Sequence, residues 1–303
     1  MMQSLPTFFF FRSPNNSCLR RDKEKKNFLS YSFEMTQLTS ADLHELIQRF
    51  DQSDVVQALI LMGSYARNEA GPYSDIDLIR FVRSRTNLLF DEVDGTHLDS
   101  KKRLVNISTI DSNEYEKWFV EPYEATKWIA GLRLARVLID REEFFEKNLQ
   151  ERARNFIWDE TIQSRANIEA SRRMVGWTEE VHKGLEGLRR GNDHGRLLNA
   201  LHGLSWGLSE VIQIQCGVLV SSDNSAFDQV ELALGDEQTM IKLRRITFGL
   251  EENYNLGQRV YAGLKFYLLL HEQMKNVWQE HARNILEHTV EHIRSMLDIS
   301  EQN

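Results

Sequence analysis

The sequence predicts an α+β protein: a small mixed sheet with flanking helices, followed by an all-α helical bundle. Three observations carry this. An apolar run at 55–62 breaks at Gly63-Ser64, and a second strand-like segment follows at 74–82, the pattern of strand, turn, short helix, turn and strand. From about residue 112 onward apolar residues recur at helical spacing. At 303 residues the chain is long enough for two domains, each with its own core.

Taken in order, residues 1–34 stand apart. Phe8-Phe9-Phe10-Phe11 is too short for the apolar core of a signal peptide, and the stretch from Arg20 to Lys26 is a charge run. This predicts a disordered leader, with Met35 a candidate native start. Thr39-Ser40-Ala41-Asp42 is a helix start with Thr39 as cap, and Leu43, Leu46, Ile47 and Phe50 then form one apolar face. That helix is expected to pack on the sheet. After Val82 come a polar connection, Leu88-Leu89-Phe90, a turn at Gly95 and a third strand over 103–110. Asp111-Ser112-Asn113-Glu114 reads as the cap of a helix on which Tyr115, Trp118 and Phe119 share a face. Trp128, Ile129, Leu132 and Ala135 extend the helical spacing up to Asp140, and Asp140-Arg141-Glu142-Glu143 restarts a helix ending near Trp158-Asp159. The domain boundary is expected between 140 and 160, giving a sheet domain over 35–145 and a helical domain over 146–303. Helices are predicted over about 161–175, 177–190, 196–216 (closed by Gly217), 226–234, 237–250 and 257–298, with a loop from Gly191 to Gly195.

The composition, 41% hydrophobic and 27% charged, is that of a soluble globular protein, and no apolar run approaches the roughly 18 residues of a membrane span. A formal charge of −8 argues against gripping a nucleic-acid backbone, which needs clustered Lys and Arg. It suits a small cationic acceptor better. Cys18 and Cys216 lie far apart with no metal-ligand spacing, so a reducing cytoplasm is the expected compartment.

The chemistry concentrates between residues 63 and 77. Asp75 and Asp77 are two apart in a strand, so both carboxylates leave one face of the sheet while Ile76 and Leu78 point into a core. Side by side they raise each other's pKa unless a cation sits between them. The turn at Gly63-Ser64, where a strand ends and a helix starts, offers free backbone N–H groups to a phosphate. Hard oxygen ligands beside such a turn favour Mg²⁺.

Gly63-Ser64, Arg67 and Ser74-Asp75-x-Asp77 together resemble the signature of the polymerase-β-like nucleotidyltransferase superfamily. Within it, Gly71-Pro72-Tyr73-Ser74-Asp75-Ile76 is similar to the same turn in kanamycin (aminoglycoside) nucleotidyltransferases. The resemblance implies a transferase that moves AMP, or another nucleotide, from ATP or another NTP to a hydroxyl of a small acceptor. Gly63, Ser64, Arg67 and Ser74 would then lie at the nucleotide, and Asp75 and Asp77 at Mg²⁺. It also implies a helical Glu as general base with a Lys one turn on, parts that Glu180 or Glu179 with Lys183 would take, and a homodimer. Arg67 would add charge near the phosphates or pair with Glu69.

One feature departs from the family. The third carboxylate expected on a neighbouring strand is missing, because the alternate residues of 104–110 on one face are Leu104, Asn106, Ser108 and Ile110. This leaves open a nucleotide-binding regulator without turnover, or a transferase that modifies a protein hydroxyl in the manner of antitoxin-like members. Two further motifs are weak. Arg189 and His194 have an R-x4-H spacing with His194 in a loop, and His288-Thr289-Val290-Glu291-His292 has an inverted zinc-protease pattern with no evident third ligand.

Overall fold

The structure, a computed structural model, describes residues 36–51, 55–84, 94–111 and 114–301. The leader, Leu88-Leu89-Phe90 and Ser112-Asn113 lie outside the described residues. Two compact units result: residues 36–157 together with Leu219–Asp223, and Trp158–Val218 together with residues 224–301.

The first unit opens with α1 (Ser40–Phe50). Thr39 and Asp42 form a reciprocal capping box, in which the Thr39 hydroxyl accepts from the Asp42 N–H and the Asp42 carboxylate accepts from the Thr39 N–H. Asp42 is buried and also pairs with Lys101 at 2.8 Å and Arg103 at 2.6 Å. Burial opposes its ionisation, but hydrogen bonds from Lys101, Thr39 and Arg103 outweigh that and hold its carboxyl well below the usual range. Thr39→Ala removes one arm of the box and is expected to destabilise the protein by about 1 kcal/mol, read as a lower urea midpoint at unchanged slope. An unchanged midpoint would count against a stabilising cap.

The sheet contains β1 (Val56–Leu61), β2 (Ile76–Val82), β3 (Gly95–Leu98), β4 (Leu104–Asp111) and β5 (Arg136–Asp140), in the order β3-β4-β2-β1-β5. It is mixed: β2 runs parallel to β4, and the other neighbours are antiparallel. β1 and β2 occupy the middle and are buried on both faces, which is why they read as near-continuous apolar runs. Leu46 and Phe50 of α1 pack over Leu59, Leu61, Ile76, Leu78, Val105 and Ile107 on one face. The one-turn helix α2 (Gly63–Ala66) joins β1 to β2.

Three expectations need correction. Gly95 opens a strand rather than forming only a turn, so the segment at 104–111 is the fourth strand, not the third. Helical structure does not continue to Asp140. The helix α3 (Pro122–Leu134) ends as Ala135 turns extended, and residues 136–140 pair with β1 as an edge strand. Asp140 then caps the next segment by accepting from the N–H groups of Phe145 and Glu146. That segment is a 3₁₀ turn at Arg141–Glu143, a π-helical turn at Glu146–Gln150 and the short helix α4 (Glu151–Asn155), not one helix.

The second unit is helical: α5 (Glu160–Gly176), α6 (Thr178–Arg189), α7 (His194–His202), α8 (Leu208–Gln215), α9 (Asp223–Ala233), α10 (Gln238–Phe248), α11 (Leu256–Met274) and α12 (Glu280–Glu301). Its core gathers Met174, Val181, Leu197, Leu208, Leu264 and Leu286 among others. A π-helical turn, Gly203–Gly207, joins α7 to α8, so the predicted long helix is continuous but irregular. Gly207 lies so close to Trp177 that a Cβ there would fall 2.4 Å from the indole. Gly217 follows α8 with φ +62°, the left-handed geometry expected of its closing residue. His194 is the first residue of α7, capped by Asp193, and not a loop residue.

Candidate active site

Asp75 precedes β2 and Asp77 is its second residue, so both side chains leave the face opposite Ile76 and Leu78. Farther along that face Phe81 meets the rings of Trp118, Phe144 and Phe145 at 6.0, 5.7 and 5.8 Å between centroids. This aromatic cluster seals one end. The two carboxylates stand half-buried at the other, where β2 begins.

Three neighbours shape the pair. Gly63 adopts φ +63°, and a Cβ on it would fall 2.1 Å from Asp77 Oδ2. The turn can pass this close to the carboxylate only without a side chain. Asn106 lies opposite Asp77 in the parallel register and donates from Nδ2 to Asp75 Oδ2 at 2.5 Å. Arg67, mostly buried, donates from Nε to Glu69 at 2.7 Å and from Nη1 to the Ser221 carbonyl at 3.3 Å. Its charge still reaches Asp77. Burial, and then the negative charge of Asp75, push the Asp77 carboxyl up from 3.8 to about 6; Asn106 and Arg67 pull the other way, and Asp223 adds to the upward push. An acid pushed toward neutrality by burial and by a neighbouring acid is one where a divalent cation can take the place of a proton. The all-oxygen donors fit a hard ion. Among the described residues no group of three or more His, Cys, Asp or Glu side chains is placed to hold a metal ion.

The remaining predicted residues are distributed as follows. Ser64 is half-buried, and its carbonyl accepts from the Glu69 N–H at 2.8 Å. The Ser74 hydroxyl accepts from the Gly71 N–H at 2.9 Å, bracing the turn that delivers Asp75 to the strand. Glu180 sits on α6 in the helical unit and shares Lys183 with Glu179, at 3.4 and 2.8 Å respectively. Arg189 pairs with Glu186 and lines a cavity of about 750 Å³ in that unit with His182 and His292. His288 and His292 share a face of α12, as their spacing requires, and the ring of His182 stacks on His292 at 5.5 Å. Burial pushes the Cys216 thiol up to about 12, so it is an inert thiol. No helix among the described residues is long and apolar enough to cross a membrane.

Residue-by-residue reading missed the segment Leu219–Asp223. It belongs to the sheet unit, held by the Val220 N–H on the Thr126 carbonyl at 2.9 Å and by Arg67 on Ser221. No local pattern announces a segment whose partners lie about a hundred residues away or more.

No curated protein matches the chain. Among solved structures, a nucleotidyltransferase-like protein from Exiguobacterium sibiricum 255-15 is similar at 14% identity with a TM-score of 0.45, over 86% of this chain and 89% of that one. Residues 43–160, the stretch that carries all five strands together with Gly63, Asp75, Asp77 and Asn106, match the family model described as the nucleotidyltransferase domain.

Proposed function

We propose that the protein transfers a nucleotidyl group, AMP from ATP in the first instance, to a hydroxyl of a small cationic acceptor of the aminoglycoside kind. The observation that carries this reading is the pair Asp75–Asp77 standing against the side-chain-free Gly63 within the matched domain. A Mg²⁺ held by the pair would neutralise phosphate charge and polarise the phosphorus under attack. The chain's own residues do the positioning. Gly63, lacking a side chain, lets the backbone of the turn lie against the Asp77 carboxylate, Ser64 offers a hydroxyl, and Arg67 adds positive charge while tied to Glu69 and Ser221. Ser74 fixes the turn before Asp75. In the reaction the acceptor oxygen bonds to the α-phosphorus, the α–β bridging bond breaks, pyrophosphate leaves, and the acceptor proton passes to a base. Glu180 is our candidate for that base. By analogy with the aminoglycoside enzymes the working form is a cytoplasmic homodimer.

The test is direct: full-length protein, Mg²⁺, α-labelled ATP and a panel of amines, amino sugars and aminoglycosides, with Asp75→Asn/Asp77→Asn as blank. Pyrophosphate release with label on one acceptor supports the proposal. Asn106, not an acid, stands opposite Asp77 on β4, and this favours a second reading, a nucleotide-binding regulator. ATP binding without pyrophosphate release on any acceptor would favour it. Label appearing on a co-purifying protein would instead indicate a protein hydroxyl as acceptor.

A further inference from the structure

We infer that Thr96 and Asn106 form a hydrogen-bond relay that sets the orientation of Asp75, so that Asn106 serves the cation site as a positioning residue and not as a ligand or a base. This rests on reading Asp75 and Asp77 as that site. The relay follows from the register of three adjacent strands. β4 lies between β3 and β2, and its Asn106 pairs with Thr96 on one side and with Asp77 on the other. Residues directly opposite one another on neighbouring strands project from the same face. The row Thr96, Asn106, Asp77 therefore crosses the sheet on the face that carries the carboxylates, with Asp75 one diagonal step away.

The hydrogen bonds fix which way the amide points. Thr96 Oγ1 donates to Asn106 Oδ1 at 2.8 Å, and Asn106 Nδ2 donates to Asp75 Oδ2 at 2.5 Å. An ionised carboxylate only accepts, so the reversed amide would set its carbonyl oxygen against Asp75, lone pair to lone pair. The bond to Asp75 is charge-assisted and the stronger of the two, while the Thr96 hydroxyl holds the other end of the amide. The amide oxygen is thus committed to β3, and Asn106 does not offer it to an ion. With Oδ2 engaged, Asp75 is presented to the ion through its other oxygen. Thr96 is exposed on the edge strand and Asn106 is half-buried, so the relay runs from the rim of the sheet to the site. The competing account makes Thr96 and Asn106 an ordinary cross-strand polar pair, which stabilises β3 on β4 and leaves the site unaffected.

Mn²⁺ binding to the full chain, followed by the free-ion EPR signal at pH 7.5, separates the two. Asn106→Ala removes the donor to Asp75 and is expected to weaken Mn²⁺ binding about tenfold, as loss of a group that orients a ligand does. Thr96→Val keeps the shape and β-branch of the side chain but loses the hydroxyl, and is expected to weaken binding about threefold. In the Asn106→Ala background the same Thr96→Val change should have no effect, because the relay is already cut. A pair that only stabilises the sheet would lower the circular dichroism melting temperature of the variants and leave Mn²⁺ affinity alone. Binding by Asn106→Ala within twofold of wild type, while Asp75→Asn and Asp77→Asn lose it, overturns the positioning role and leaves the cation site standing. An equal loss from Thr96→Val in both backgrounds overturns the relay. Undiminished binding by Asp75→Asn and Asp77→Asn removes the site itself, and the inference with it. Should Asn106→Ala fail to fold, Thr96→Val at its exposed position decides alone: weakened binding supports the relay, and wild-type binding overturns it.

Discussion

Asp77→Asn is expected to abolish nucleotidyl transfer, by about 10³-fold or more, and at the same time to make the cation-free protein more stable at neutral pH. The two effects have one cause. In the folded chain burial, followed by the charge of Asp75, raises the Asp77 carboxyl from 3.8 to about 6. A carboxyl whose pKa is higher folded than unfolded binds its proton more tightly in the native state. Its ionisation therefore costs stability: the native state is favoured below about pH 4, loses that advantage as pH rises through 6, and carries the full penalty above it. The difference in proton affinity caps that penalty at about 3 kcal/mol, and solvent around a half-buried group reduces it to about 1–2 kcal/mol. Asn removes the penalty and the cation ligand together. In the absence of divalent ions the variant should melt a few degrees above wild type at pH 7.5, with the gap closing near pH 4. Wild type alone should gain melting temperature with Mg²⁺, and more so as pH rises through 6. A variant that melts at or below wild type at pH 7.5 would show that the repulsion between Asp75 and Asp77 is already relieved in the free protein.

The parts of this molecule legible in sequence are those whose signals are local. Thr39-x-x-Asp42 ahead of Leu43, Leu46, Ile47 and Phe50 specifies a capped amphipathic helix, because box and stripe both lie within one helix. Asp75-Ile76-Asp77-Leu78 is legible in the same way: the period of a strand sorts acids from aliphatics without reference to anything else. β5 is the opposite case. Val137, Leu138 and Ile139 continue the apolar spacing of α3 with no Gly or Pro between, and they become a strand because the free edge of β1 is there to pair with. β3 is likewise short and exposed on three of its four residues, and pairing with β4 defines it. In the site, Gly63 and the two acids are readable, yet the fact that Gly63 must lack a side chain because of Asp77 is not. Nor is the placement of the segment 219–223, which depends on Thr126 and Arg67, partners that the chain reaches only by folding.

Gly63→Ala should destroy cation binding and turnover while leaving the fold intact. The added methyl carbon would sit 2.1 Å from Asp77 Oδ2 and 3.1 Å from Cγ, so the carboxylate must rotate away from the turn and from its place beside Asp75. The backbone adds its own cost, since φ +63° disfavours a side chain by about 1–2 kcal/mol. Gly235 provides the control. It has the same φ of +63°, and a Cβ there would meet nothing within 4 Å, so Gly235→Ala carries the backbone cost without a collision. The two variants should lose a similar few degrees of melting temperature. Only Gly63→Ala should lose Mn²⁺ affinity, by about a hundredfold, as expected when a ligand is turned away from the ion. If Gly63→Ala binds Mn²⁺ as well as Gly235→Ala does, the close approach of turn and carboxylate has no bearing on the ion, and the cation site must be built from other groups.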